Sequence, residues 1–93
     1  MPSKKPTHGI VLSDAIPAPA LKAMLPYLRE FTMEDGVHCQ FLLCSELVYS
    51  QWPYATFRVW DAKLTARERL IIPHSFILLI CEWEEGKIPP GFL

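Results

Sequence analysis

The sequence predicts an α+β fold: a small, mostly antiparallel sheet of about four strands, one main N-terminal helix packed on one face, and one short helical turn. Three observations predict it. Leu21, Met24, Leu25 and Leu28 recur at helical spacing. Residues 54–60 alternate with a period of two, as a half-buried strand does. Residues 76–81 form an unbroken apolar run too short for a typical helix. One helix on one sheet is the simplest packing that hides these three apolar surfaces.

Residues 1–7 (MPSKKPT) hold two prolines and two lysines and read as a flexible leader. Ile10, Val11 and Leu12 form a short strand that stops at Ser13 and Asp14, side chains suited to capping a helix. Pro17 and Pro19 suit a first helical turn, where a missing N–H costs nothing. The helix then covers about residues 18–31, with Lys22 and Arg29 off its apolar stripe. Pro26 removes a bond to the Lys22 carbonyl and kinks or splits it.

Asp35 and Gly36 mark a turn, since Gly supplies positive φ. Residues 37–44 follow as a strand, with Val37, Cys39, Phe41 and Leu43 on one face and His38, Gln40, Leu42 and Cys44 on the other. Residues 46–50 extend that strand or start another before Pro53 interrupts. In 54–60, Ala55, Phe57 and Val59 point one way; Tyr54, Thr56, Arg58 and Trp60 point the other. Thr65 followed three residues later by Glu68 is a capping-box pattern and predicts a short helical turn through Leu70. Residues 75–83 are apolar on both faces as far as Glu82, the pattern of a strand in the middle of a sheet. Residues 88–93 (IPPGFL) form an extended tail, because each proline pushes its predecessor out of the helical region. Residues 8–87 are thus one domain between a leader and a tail.

The chain has 93 residues, room for a single core. Its hydrophobic content of 51% excludes intrinsic disorder and exceeds what one small core readily hides, which points to an interface. Nine basic and ten acidic residues leave a net charge of −1, without the basic excess that drives phosphate binding. Three cysteines, an odd number, argue against a disulfide framework and for free thiols in a reducing cytoplasm. No secretory signal is visible, and the longest apolar run falls far short of the roughly 20 residues of a membrane helix.

The residue types that carry chemistry do not fall into a working pattern. His38, Cys39, Cys44, His74 and Cys81 are the candidate metal ligands. Cys39 and Cys44 are five apart in an apolar strand and face opposite sides, unlike ligand pairs on a tight turn. Cys39 and Cys81 read as small core residues. His38 and Cys39, like His74 and Ser75, are strand neighbours whose side chains diverge. Asp14, Asp61 and Glu68 sit at element boundaries, where capping explains them. The four glycines form no phosphate-cradling loop. No metal, cofactor or catalytic residue is expected.

Trp52, Tyr54, Arg58 and Trp60 are the exception. These types dominate protein-interface hot spots, and three of them share one predicted strand face. They also suit base stacking, with Lys63, Arg67 and Arg69 nearby, although Asp61 and Glu68 offset that charge. The expected function is therefore a non-catalytic interaction or regulatory domain, binding a protein partner or itself as a homodimer through this aromatic face. The alternatives are a small-ligand-binding protein or minor enzyme, with a pocket between helix and sheet holding His38 or His74, and then nucleic-acid binding.

Overall fold

The computed structural model describes residues 4–32, 34–50 and 52–92. Its elements, in chain order, are β1 (His8–Leu12), α1 (Ala18–Met24), a 3-10 turn (Leu25–Tyr27), β2 (Arg29–Thr32) and β3 (His38–Val48). Then come β4 (Tyr54–Trp60), β5 (Ala66–Pro73), a second 3-10 turn (His74–Phe76), β6 (Ile77–Glu82) and a third 3-10 turn (Pro90–Phe92). The strands are all antiparallel and run β5-β4-β3-β1-β6, with β2 added to β3. The long β3 makes this arrangement possible. Its first residues pair with β2, residues 41–44 pair with β1, and residues 44–48 pair with β4.

The expected four-strand sheet with a main N-terminal helix is thus corrected to a mostly-sheet protein, 47% strand and 18% helical, with six strands and one short helix. The helix ends at Met24 because Pro26 has no N–H to continue it. Leu28 N–H closes the turn on the carbonyls of Met24 and Leu25. Residues 29–31, expected as the end of the helix, pair together with Thr32 along β3 in the register Arg29↔Phe41 to Thr32↔His38. Gly36, at φ +88°, turns the hairpin, and Asp35 Oδ1 accepts the Val37 N–H. A free edge on β3 offers these residues a ladder that a proline-broken helix cannot match.

The helical turn expected after Thr65 is also replaced. Asp61 Oδ1 accepts N–H bonds from Lys63 (3.0 Å) and Thr65 (2.9 Å), and Leu64 adopts φ +58°. This closes a β4–β5 hairpin, and Glu68 turns to the Tyr27 hydroxyl instead of capping Thr65. Finally, the run expected at the centre of the sheet lies at its rim, because β6 pairs with β1 alone. Its register with β1 slips between Val11 and Leu12, which leaves Leu78 as an extra, bulged residue.

The doubly buried centre is instead β1 and residues 41–45 of β3. Their alternate side chains feed two cores. Ile10, Leu12, Leu42 and Cys44 join Phe57, Val59, Ile72 and the helix residue Met24 on one face. Val11, Phe41, Leu43 and Trp60 pack on the other with Phe31, Trp83 and Phe92. Each large apolar side chain buried this way stabilises the fold by about 1.5–3 kcal/mol relative to exposure.

The chain on either side of the sheet joins it. Pro6 is fully buried, and its carbonyl accepts the Trp83 indole N–H (2.9 Å). Thr7 N–H donates to the Cys44 carbonyl, and Trp83 N–H donates to the Thr7 carbonyl. Residues 1–3 of the expected leader and residue 93 of the expected tail lie outside the described residues. No helix among the described residues is long and apolar enough to cross a membrane.

Candidate functional site

The four residues singled out in the sequence do not stay together. Trp60 is only 3% exposed, and its indole N–H donates to Ser45 Oγ (2.9 Å) inside the second core. Arg58 is held flat on the sheet: Nε donates to Glu46 (2.9 Å) and Nη1 to the Arg67 carbonyl (2.8 Å). Glu46, at φ +54°, sits where β3 slips one residue against β4. The bulge turns its carboxylate onto Arg58, with Arg69 also within 4.0 Å. Tyr54 is exposed at the other end of β4, opposite Pro73. Trp52 is 78% exposed and meets the His74 ring edge-on at 5.1 Å. Seven strand residues span about 20 Å, so the two ends of β4 share a side without sharing a contact.

The Trp52 end opens onto a trough beside β6. Tyr49, His74, Ile77 and Ile80 line a hollow of about 190 Å3. It shares Tyr49, Ile77 and Ile80 with a longer groove of about 400 Å3 that reaches His8 and Glu82. Leu78 and Leu79, 68% and 54% exposed, stand on the groove wall. Edge position exposes them: beyond β6 no described strand continues the sheet.

The trough has an imidazole at each end, and the two differ. His8 is tied at both nitrogens, Nδ1 to Thr7 Oγ1 (2.9 Å) and Nε2 to Glu82 Oε2 (3.0 Å). His74 Nε2 is buried and has no hydrogen-bond partner among the described residues. A buried polar atom of that kind costs about 1–3 kcal/mol until something bonds it. His74 therefore lines the hollow with an imidazole whose Nε2 still lacks a partner among the described residues.

A larger hollow of about 620 Å3 lies between Pro26, Tyr27 and the β4–β5 hairpin. Tyr27, Asp61 and Arg67 in its lining already have partners. The Tyr27 hydroxyl donates to Glu68, which raises the phenol above its ordinary value and holds the carboxyl below its own. Arg67 faces Asp61 at 4.0 Å. Size alone does not make this hollow the better site.

Among the described residues no three His, Cys, Asp or Glu side chains gather where a metal ion could be held. Cys39 and Cys81 are half-buried on separate strands, and burial pushes the Cys44 thiol up to about 12, the wrong direction for a nucleophile. His38 is exposed in the β2–β3 hairpin, bonded to Thr32, far along β3 from the trough. Reasoning from sequence missed Tyr49, His8, Leu78 and Leu79. The even apolar character of residues 76–81 carries no sign of which side chains an edge position will leave uncovered.

No protein-family model matches this chain, nor does any curated protein or solved structure.

Proposed function

We propose that this chain is a non-catalytic binding domain that docks a protein segment in the trough beside β6. Trp52, Tyr49, Leu78 and Leu79 are the apolar anchors, and His74 is the polar contact that selects among partners. One observation carries this reading: three large exposed apolar side chains, Tyr49, Leu78 and Leu79, line an open trough, and exposed Trp52 packs on His74 at its end, whose buried ring nitrogen has no partner among the described residues. Contiguous apolar surface rimmed by polar groups is the usual mark of an interaction site. The bulge at Leu78 and the charge at Glu82 blunt β6 as a template for strand addition. Docking therefore runs through side chains rather than through a backbone ladder. Compared with the aromatic sheet face expected from sequence, the surface keeps Trp52, takes Tyr54 as a neighbour on the rim, and drops Trp60 and Arg58.

The partner is another protein or a second copy, in a reducing compartment such as the cytoplasm that suits three unpaired cysteines. Nucleic acid fits less well, since Arg58 and Arg69 already face Glu46. A small ligand is the second reading, favoured by the same His74 Nε2. The hollow around His74, about 190 Å3, is below the usual 300–1,000 Å3 of small-molecule pockets, and only the more open groove beside it, about 400 Å3, reaches that range.

A photo-crosslinking residue at position 79, compared with one at exposed Lys22 on the helix, tests the proposal in cells. A discrete adduct formed from position 79 alone, and lost on Trp52→Ala, is the expected result. The same adducts from both positions, or none from position 79, overturn it. Native mass spectrometry of the purified chain reads out the ligand alternative as a bound mass lost on His74→Ala.

A further inference from the structure

On the opposite side of the sheet, independent of the trough, four residues make an aromatic socket. Phe41 and Phe31 lie 5.6 Å apart between ring centroids and form one wall. Trp83 forms the other, fixed by its indole bond to the Pro6 carbonyl. Gly9, on β1 opposite Leu43 and Cys81, is the floor. Phe92 fills the socket: its ring meets Phe41 edge-on at 5.0 Å, Trp83 at 5.1 Å and Phe31 at 6.4 Å. The floor must be glycine for the ring to seat, since a Cβ on residue 9 would come within 2.7 Å of Phe92 Cδ1. Such a contact forces one of the two groups to move.

The segment that delivers this ring is half-buried at Ile88, Pro89 and Phe92 and makes few backbone bonds. Glu85 Oε1 accepts the Lys4 and Lys5 N–H groups and pins the start of the segment. Beyond it, the described residues 86–92 make two backbone hydrogen bonds, Lys87 N–H to Glu84 O and Phe92 N–H to Pro89 O, both local. Gly86, at φ +83°, is a free swivel: a Cβ there would meet only Lys5 Cδ, at 4.0 Å. Residues 86–92 are thus a strap that can lift without breaking a backbone bond to the sheet.

We propose that the socket of Gly9, Phe31, Phe41 and Trp83 is a binding site for an aromatic side chain, filled in cis by Phe92 and in trans by Phe92 of a second copy. Every contact the ring makes within one chain can be made identically between two, so exchange loses no contact and depends on protein concentration. Self-complementarity identifies the occupant, because the socket already holds this segment.

The test uses the full chain and the indole N–H resonance of Trp83, whose bond to Pro6 makes it a reporter of the socket. Phe92→Ala should stay folded by circular dichroism and shift that resonance. A peptide of residues 84–92 added to it should bind saturably and return the resonance toward its wild-type position, while the same peptide with Ala for Phe should not. Gly9→Ala, which leaves every aromatic in place, should release the strap and abolish peptide uptake. Native mass spectrometry of the wild-type chain should show a dimer that grows with concentration and is lost in both variants. Trp52→Ala should leave all of this unchanged, which separates it from the trough. Failure of Phe92→Ala or Gly9→Ala to fold makes Phe92 an ordinary core residue and overturns the proposal. So does a folded Phe92→Ala that ignores millimolar peptide, or a wild-type chain that stays monomeric at every concentration.

Discussion

The two ends of β4 carry similar residues into opposite circumstances. At one end Trp60 is sealed in a core and its only polar side-chain atom is bonded to Ser45. At the other, Trp52 lies in the open against the rim of His74. Both tryptophans belong to the same short stretch of sequence, and the same chemistry recommends both as interface anchors. What separates them is what the sheet places opposite. Trp60 faces the centre of β3, where Phe41 and Leu43 meet it, while Trp52 precedes the strand and leans on a turn that leads to the rim. An aromatic cluster in sequence therefore marks surface only where the sheet runs out of neighbours.

The largest expected effect comes from the buried end. Trp60→Ala should cost about 3–5 kcal/mol, the range for deleting a large core aromatic, measured by urea denaturation. A loss under about 1 kcal/mol would place Trp60 at a surface and collapse the contrast. Ser45→Ala should cost less, about 1–3 kcal/mol, because it leaves the buried indole N–H without an acceptor. Trp60→Phe on the Ser45→Ala background should recover part of that cost, since both polar partners are then gone.

At the open end, Trp52→Ala should change stability by no more than about 0.5 kcal/mol, as for other exposed positions, while removing the crosslink from position 79. Destabilisation as large as that of Trp60→Ala would mean the two ends do not differ. The smallest effect lies at Glu68, whose carboxylate is fully exposed. The Tyr27 hydroxyl holds it below its ordinary 4.5, so its contribution is present above that value and lost as pH falls through the folded-state value. Tyr27 is raised above its ordinary 10.0, so its part is present below that value and lost as pH rises through the folded-state value. Glu68→Gln should flatten the acid limb of the stability profile and lower the Tyr27 titration, followed by NMR. An unchanged Tyr27 titration would show that the pair does not form in solution.

Strands with a clear period were legible. Residues 54–60 form β4 with the expected bounds, and Ala55, Phe57 and Val59 are buried while Tyr54 is not. Ile10, Val11 and Leu12 lie in β1, and of the strand expected over residues 37–44 the alternate faces of 41–44 become the walls of two cores, while Val37 is exposed outside it. Asp35 and Gly36 turn a hairpin as their chemistry requires. Two helical signals failed where a strand partner prevailed over them. Arg29 and the residues after it met an open edge of β3, and Thr65 met Asp61 before it met Glu68. Of the four residues expected to bind, Trp52 and Tyr54 lie on exposed surface, Arg58 is occupied by Glu46, and Trp60 is interior.

Side-chain alternation, turn residues and apolar content follow from the sequence by itself, because each depends on covalent geometry and solvation acting over a few residues. They decided that the chain forms strands, where several begin, and that more apolar surface exists than one small core can hide. Strand order lay beyond them. Only the tertiary structure placed the most apolar strand at the rim, sent Trp60 inward and Trp52 outward, and laid Phe92 on Gly9. Those outcomes depend on which distant residues stand opposite one another, and a six-stranded sheet settles that by burying the most surface at once.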